Sequence, residues 1–361
     1  MGQTYRIGKN EAKKSIDELG NTLQDGDTLL LAAGESSTTV GGKFALWGKN
    51  ITVRTDGSPR HRIVSTNTND SAIWIGFKAS NCVISDVDVE AAATAGILVQ
   101  GTQNTIQKVG LFNRGMIELR GSVNAVIDGV TCSDPRYRDY GVYSGAGCSG
   151  TVIRNCDLNL TVKGQHCTRH HSWSGLTIED CHFTNVADYH GSTINLREGN
   201  GASLKRVKAS GYGIGIGPLN EPNQKPDFRT TNVVIDACDF DHAFPFTLYA
   251  GTDGATIRNT IIRSKQEAVK IAGDYVDPTG FTFPAAKNVL FEGVRFYSPT
   301  TLITGPTAGV KFKGCFWNDK PVPDTDPVDP TIALKKQITD LTAALTAANA
   351  KIAAAKQALA A

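Results

Sequence analysis

The side chains best suited to chemistry fall in four polar segments, at residues 133–140, 159–173, 184–191 and 241–245. Aromatic rings stack on the faces of sugars, while Arg and carboxylate groups bond hydroxyls or uronates. The segments therefore predict a polysaccharide-binding surface, although solvated loops that make subunit contacts are an equally open interpretation. The candidate contact residues are Arg136, Tyr137, Arg138, Tyr140, Arg169, His170, His171, Trp173, Tyr189 and His242.

Catalysis would require acidic or basic groups in the same segments, and the weak candidates are Asp188, His190 and Asp241. A glycosidase uses two carboxylates separated by roughly 5 Å or roughly 6.5–9.5 Å. Asp188 and Asp241 lie two repeat units apart, which corresponds to about 10 Å. His190 or Arg169 could act as the base of a lyase. No motif supports either chemistry, so the sequence leaves catalysis open and favours a protein that is not an enzyme.

Metal ligands are not grouped in any familiar way. His166, His170 and His171 lack the spacing of a zinc site, and no run of aspartates suggests a calcium site. The sequence therefore predicts no metal and no cofactor.

Near-copies of one nine-residue unit must position these segments. The clearest copy, GLTIEDCHF at residues 175–183, has relatives about every 26 residues between residues 50 and 317. The residue equivalent to Ile178 is apolar in every copy, and small or apolar residues follow three and five positions later. Between successive copies lies a second strand bounded by glycine or a small residue, such as STINLREG or YGIGIG. Each period predicts two or three short strands and no helix, so residues 25–317 form one all-β array.

Cysteine recurs three positions after the Ile178 equivalent, where other copies have Val or Thr. Equivalent residues of stacked parallel strands lie about 4.8 Å apart. The exchange of Cys with Val and Thr therefore predicts an internal ladder of small, buried, free thiols. Cys148 and Cys167 lie where loops leave other chemistry open. The ladder cysteines are Cys156, Cys181, Cys238 and Cys315.

Residues 1–24 are predicted to form an N-terminal segment with an amphipathic helix at 9–24, because Ala12, Ile16, Leu19 and Leu23 have helical spacing. Such a helix would cover the open end of the stack. The net charge of +2 indicates no nucleic-acid partner. The sequence also predicts no membrane insertion and no signal peptide.

At the other end, residues 318–330 form a Pro/Asp-rich linker, and residues 331–361 carry apolar residues at alternating spacings of four and three. An unbroken heptad of this kind predicts a self-associating coiled coil. The seam does not define the number of helices. The predicted oligomerisation residues are Leu334, Ile338, Leu341, Leu345, Ile352 and Leu359.

The alternating GIxIxG and (N/G)xxIx(D/N)CxF strands, preceded by a helix, resemble the right-handed parallel β-helix of pectate lyases and phage tailspikes. The resemblance implies a right-handed, single-stranded parallel β-helix of about 11 rungs, with an N-terminal capping helix and a C-terminal coiled coil. It also implies a homotrimer. It does not define the chemistry, because this fold carries lyases, hydrolases, epimerases and non-catalytic adhesins.

The expected function is therefore a structural phage protein of tailspike, fibre or adhesin type that binds host surface polysaccharide. Its partners would be copies of itself, other virion proteins and the polysaccharide. It would be located in the virion after synthesis in the host cytoplasm. One alternative is a polysaccharide lyase or glycoside hydrolase. A second is a virion component without a ligand, such as a head fibre, collar or decoration protein.

Overall fold

The computed structural model describes residues 2–11, 16–19, 21–39, 44–66, 70–92, 95–113, 115–132, 140–145, 147–160, 166–186, 191–218, 229–276 and 280–325. These residues form an all-β parallel solenoid of about 11 turns, in which each full turn contributes one short strand to each of three long sheets. The apolar side chains point inward and form one continuous core along the solenoid.

Sheet I contains the first strand of each nine-residue unit, and all of its strand pairs are parallel. Its 14 strands are Thr4–Ile7, Thr28–Ala32, Thr52–Asp56, Val83–Ser85, Thr105–Gln107, Val126–Asp128, Cys148–Ser149, Val152–Arg154, Trp173–Glu179, Gly199–Lys205, Thr230–Asp236, Thr252–Arg258, Lys287–Glu292 and Val310–Lys313.

Sheet II contains the second strand of each unit and ends in one antiparallel pair. Its 13 strands are Ser36–Thr39, His61–Ser65, Val87–Ala91, Gly110–Asn113, Thr131–Cys132, Asp157–Leu160, His182–Asn185, Lys208–Gly211, Asp239–His242, Ile261–Ser264, Arg295–Tyr297, Phe316–Trp317 and Lys320–Pro321.

Sheet III contains the glycine-bounded strands between units. Its 11 strands are Ala45–Leu46, Ile73–Ile75, Ala95–Val99, Met116–Leu119, Val142–Ser144, Thr168–His170, Ile194–Leu196, Ile214–Ile216, Phe246–Leu248, Val269–Ile271 and Ile303–Thr304. A small antiparallel hairpin, Tyr275–Val276 with Thr282–Phe283, lies between sheets III and I along the chain.

The register expected from the repeat is confirmed. Ile178 pairs with Ile153 on one side and with Leu204 on the other, and all three side chains are buried. Five positions later, Phe183 pairs with Leu158 in sheet II. Because equivalent residues stack directly, the apolar positions of the repeat become continuous apolar columns through the core.

The turn between sheets I and II explains the Asp, Asn or Gly two positions after the Ile178 equivalent. Asp180, Asn155 and Gly129 all have positive φ, at 54°, 54° and 63°. Left-handed backbone is least unfavourable for these residue types. The motif therefore marks a backbone bend that recurs along the solenoid, and it does not mark a chemical site.

All eight cysteines are buried and are present as thiols, as the repeat predicts for the ladder. Cys148 lies in a short strand of sheet I, and burial raises the pKa of its thiol. Cys167 is fully enclosed, and burial raises the pKa of its thiol well above the ordinary value. Both side chains therefore behave as small apolar groups.

The predicted N-terminal helix is not confirmed. The helical structure in the described part of this segment is one 3-10 turn, Ile16–Glu18, while residues 12–15 and 20 lie outside the described residues. Ile16, Leu19 and Leu23 are nevertheless buried in the core. Strand Thr4–Ile7 pairs with Thr28–Ala32. This end of the solenoid is therefore extended by a strand of sheet I, whereas a covering helix was expected.

The C-terminal predictions cannot be placed in the fold. Residues 326–361, which include part of the linker and the whole heptad with its six oligomerisation residues, lie outside the described residues. Within the described part of the chain, no helix has the length and apolar character needed to cross a bilayer.

Candidate functional site

From Ile73–Ile75 onward, each strand of sheet III directs one residue away from the core, and of these Asn195, Gly215 and Thr247 are themselves covered by neighbouring groups. In Thr168–His170, for example, Arg169 points outward between two buried neighbours, and the same pattern holds in Val142–Ser144. Successive middle residues are in register, so they form a straight row across the sheet, called here the outer row. The outer row consists of Trp74, Leu98, Glu118, Tyr143, Arg169, Asn195, Gly215, Thr247, Lys270 and Thr304.

Arg169 lies at the centre of a polar and aromatic cluster. Its Nη1 donates to Tyr140 Oη at 3.0 Å, and its Nε donates to His171 Nε2 at 2.8 Å. The Tyr140 ring stacks on His166, with centroids 5.5 Å apart and planes inclined by 6°. We call Tyr140, His166, Arg169, His171 and Glu198 the Arg169 cluster. These contacts hold a cation and an aromatic face side by side.

The contacts of His171 define its tautomer. The guanidinium of Arg169 has no acceptor, so His171 Nε2 must accept the hydrogen bond, and the proton of the neutral ring lies on Nδ1. That nitrogen is 3.3 Å from Oε2 of Glu198, whose side chain is buried. Tyr140, Arg169, His171 and Glu198 thus form one polar chain that fixes the orientation of Arg169.

A cleft of about 340 Å³ opens beside the Arg169 cluster on the same face. Tyr212 and Phe244 form an aromatic wall, with ring centroids 4.2 Å apart. Ser192, Glu267 and Lys270 contribute hydroxyl, carboxylate and ammonium groups. An aromatic wall with a few polar groups is what a sugar ring requires, since it presents one apolar face and several hydroxyls.

Glycine keeps the cleft open. A Cβ at Gly215, in the middle of its strand, would lie 3.0 Å from the Tyr249 ring and 3.2 Å from Ser192 Oγ. A side chain at this point of the outer row would therefore displace the cleft lining. The small residues of GIGIG, a second strand of the repeat, therefore serve the shape of this surface as well as the turn.

Arg197 follows strand Ile194–Leu196, which lies between the strand of Arg169 and the first strand of the cleft. Its side chain is buried, and its Nε donates to Asn195 Oδ1 in the outer row at 3.0 Å. Burial raises the pKa of Tyr249, and the positive charge of Arg197 opposes that rise. Glu198, the next residue in the chain, contacts His171 of the cluster.

Three of the predicted contact residues are buried in the core. His170 flanks Arg169 and points inward, where its Nδ1 is 2.7 Å from Ser144 Oγ. His242 ends strand Asp239–His242 beside Phe240. Trp173 begins a sheet I strand and packs over Gly199, where a Cβ would be 2.3 Å from its ring. We therefore leave His170, Trp173 and His242 out of the candidate surface.

Some of the other predicted residues lie in the cluster, one lies on sheet II, and the rest fall outside the described residues. Tyr140, Arg169 and His171 lie together in the cluster, and Asp241 lies exposed on sheet II, in register with Arg263. The remaining candidates fall outside the described residues. These are Arg136, Tyr137, Arg138, Asp188, Tyr189 and His190.

The cleft residues lie on strands or directly beside them, whereas the polar segments of the sequence indicate function in loops alone. Segment 159–173, expected to be a loop, contains strand Thr168–His170 of sheet III. Period-two alternation applied to that strand would have placed Arg169 outside and His170 inside. The same phase applied to the neighbouring strands would have brought Asn195 and Lys270 onto the same face. The residues missed are Ser192, Asn195, Arg197, Glu198, Tyr212, Phe244, Tyr249, Glu267 and Lys270.

Metal binding has no support among the described residues, where no group of three His, Cys, Asp or Glu side chains could hold an ion. In the described parts of the five strands from Val142 to Leu248 and their flanking residues, 140–145, 166–172, 191–198, 212–218 and 244–251, Glu198 is the single carboxylate. Together with Glu267 of the cleft, the described part of this surface offers aromatic rings, cations, amide groups and two carboxylates.

No protein-family model matches the sequence, and no curated protein matches it. Solved structures do match the fold. The catalytic domain of a GH87 α-1,3-glucanase, in complex with tetrasaccharides, has a TM-score of 0.55 and 12% identity over 87% of this chain and 69% of that one. An alginate lyase complex has a TM-score of 0.54 and 8% identity over 87% of this chain and 84% of the other.

Phage tailspikes belong to the same group of similar structures. The tailspike of E. coli bacteriophage HK620, in complex with a pentasaccharide, has a TM-score of 0.54 and 13% identity over 84% of this chain. The Dettilon tailspike has a TM-score of 0.55 and 10% identity over 81%. The chain spans 57% and 62% of these two tailspikes, less than two thirds of their length. At these identities the likeness shows the fold class, a parallel β-solenoid.

Proposed function

We propose that this chain is a polysaccharide-binding protein of tailspike or fibre type. The observation that carries the proposal is the outer face of sheet III, where the Arg169 cluster and the aromatic cleft meet at Ser192, whose carbonyl oxygen is 2.7 Å from His166 Nδ1. The complexes of a tailspike with a pentasaccharide and of a glucanase with tetrasaccharides support a carbohydrate ligand for this fold.

The polysaccharide is proposed to lie along the outer row. Strands in the row are about 4.8 Å apart, so Tyr143 and Lys270, five strands apart, are separated by about 24 Å. Several successive sugars fit that length. Tyr140 and the Tyr212–Phe244 wall supply stacking surfaces, and Arg169 and Lys270 bind hydroxyls or acidic groups.

The biological setting is part of the same proposal. We propose a phage virion as the location, synthesis in the host cytoplasm, and host surface polysaccharide as the ligand. We further propose a homotrimer held by the heptad at residues 331–361, with other virion proteins as partners. A molecular mass of three chains, measured by sedimentation equilibrium, would support the trimer, and the mass of a single chain would contradict it.

Polysaccharide degradation is the second candidate, favoured by the glucanase and lyase among the similar structures. Hydrolysis by two carboxylates requires them within about 9.5 Å. In the described part of the surface, Glu198 has no second carboxylate within two strands in sheet III. Lyase chemistry requires a base beside a group that neutralises the uronate, and the contact of Tyr140 with Arg169 supports such a role for Tyr140.

A binding screen tests the proposal. The panel consists of purified O-antigen and capsular polysaccharides, alginate and α-1,3-glucan. We expect at least one to be retained, and Arg169→Ala to weaken its binding at least tenfold. Arg154→Ala is the matched control, because Arg154 pairs with Asp128 on sheet I.

The same incubations separate the alternatives. Release of reducing ends would indicate a hydrolase, and rising absorbance near 235 nm would indicate a lyase. Failure to retain any member of the panel would favour a structural virion component. Equal losses in Arg169→Ala and Arg154→Ala would contradict the proposed location of the site.

A further inference from the structure

Sheet III carries a second aromatic group near its N-terminal end. Trp74 is the outward residue of strand Ile73–Ile75, Trp47 follows strand Ala45–Leu46, and Phe77 lies just beyond Trp74. The centroids of Trp47 and Trp74 are 4.8 Å apart, and those of Trp47 and Phe77 are 5.8 Å apart. We call these three rings the aromatic platform. The Arg169 cluster and the cleft do not include it.

The platform combines exposure with fixed geometry. Phe77 is 64% exposed, which is unusual for a side chain of this size, and both tryptophans are half-buried. Trp74 Nε1 donates to Gln100 Oε1 at 3.0 Å, which fixes that ring. Trp47 packs over Gly76, where a Cβ would be 2.3 Å from its ring. Exposed aromatic rings that are held in place mark a binding surface, because they lose little freedom when a ligand stacks on them.

The position of the platform indicates its occupant. Trp74 belongs to the same outer row as Arg169, four strands away, which corresponds to about 19 Å. A polymer lying along the outer row reaches the platform without changing direction. Leu98 and Glu118 are the row residues between Trp74 and Tyr143, and neither blocks this path with a bulky ring.

We infer that the aromatic platform binds a pyranose ring of the same polysaccharide, at a second contact separate from the Arg169 cluster. This inference rests on the proposed function. Two contacts on one polymer make the second binding event intramolecular, so affinity should rise steeply once the polymer spans both. Oligosaccharides shorter than the gap should gain nothing from the platform.

Size-fractionated fragments of the polysaccharide retained in the screen test this inference by calorimetry. Fragments under about 15 Å cannot span the gap, whereas fragments over about 35 Å can. We expect Phe77→Ala to weaken long-fragment binding about tenfold or more and to leave short-fragment binding unchanged. Trp74→Leu should have the same effect.

Tyr297→Ala is the control, because Tyr297 is a half-buried ring on sheet II. Long-fragment affinity that is equal in wild type, Phe77→Ala and Trp74→Leu would overturn the inference and leave the proposed function standing. Equal losses for short and long fragments in both variants would also overturn it. Absence of wild-type binding at either length would overturn the proposed function itself.

Discussion

At the scale of single residues, the histidines show that position in the fold determines the role of a side chain more than residue type does. Arg169, His170 and His171 are adjacent in sequence, yet His171 contacts Arg169 and the buried Glu198 on the outer side of the sheet, while His170 is enclosed in the core. Burial lowers the pKa of His166, His170 and His242 to about 3 in each case. The histidine-rich segment thus separates into His166 and His171, which belong to the Arg169 cluster, and His170, which packs in the core as a neutral group.

These buried histidines predict loss of stability in acid. The unfolded chain binds a proton on each histidine below pH about 6.5, whereas the folded chain does so only near pH 3. The stability is therefore complete above pH about 6.5 and is lost as the pH falls toward 3. His242→Leu removes one such group and should reduce the slope of unfolding free energy against pH by up to about 1.4 kcal/mol per pH unit.

Guanidinium unfolding at pH 7, 5.5 and 4.5 measures that slope. His182→Leu is the control, because His182 is 58% exposed. An unchanged slope in His242→Leu, or an equal change in His182→Leu, would contradict the assignment of His242 as a buried neutral group.

At the scale of elements, an alternating row of charges runs along the outer face of sheet I, one position after the Ile178 equivalent. Arg154 is 2.9 Å from Asp128, Arg258 is 3.0 Å from Asp236, and Lys313 is 2.6 Å from Glu292. A slip by one turn would set like charges opposite each other, so the alternation favours the observed register. The row is Asp128, Arg154, Glu179, Lys205, Asp236, Arg258, Glu292 and Lys313.

Reversal of one charge tests this role. Lys205→Glu places three acidic residues in succession and should lower Tm by on the order of 1–2 °C in low salt. The difference should vanish in 1 M NaCl, where screening acts over about 3 Å. Lys311→Glu makes the same change on the same sheet, beside the uncharged Leu290. Equal shifts in the two variants, or a shift that persists in high salt, would count against the charge row.

The sequence predicted the elements well because stacking repeats one pattern. Ile178, Cys181 and Phe183 occupy columns that can be aligned across many turns, and their burial follows from that alignment. Strand Thr168–His170 escaped prediction because both of its inward positions are polar, with Thr168 and His170 in register with Ile194 and Leu196 of the next strand. The outward residues of sheet III could not be predicted from the repeat either, because their type differs from one strand to the next.

At the scale of the whole molecule, the solenoid brings residues from distant parts of the chain together on one long, ordered surface. Residues such as Tyr140 and Phe244 are over 100 positions apart in the chain but share one face. This face extends from Trp74 to Lys270 over eight strand steps, or about 38 Å. Its length matches a polymer better than a small molecule, which is the central claim of the proposed function.

Hydroxyl-radical footprinting with the retained polysaccharide tests that claim most directly. At saturation we predict reduced oxidation of Tyr140, Tyr143 and Phe244 on sheet III and unchanged oxidation of Tyr297 and Phe316 on sheet II. All five rings are half-buried in the free chain, so their baseline accessibility is comparable. Protection of the sheet II rings, or unchanged oxidation of the sheet III rings under saturating polysaccharide, would contradict binding along the outer row.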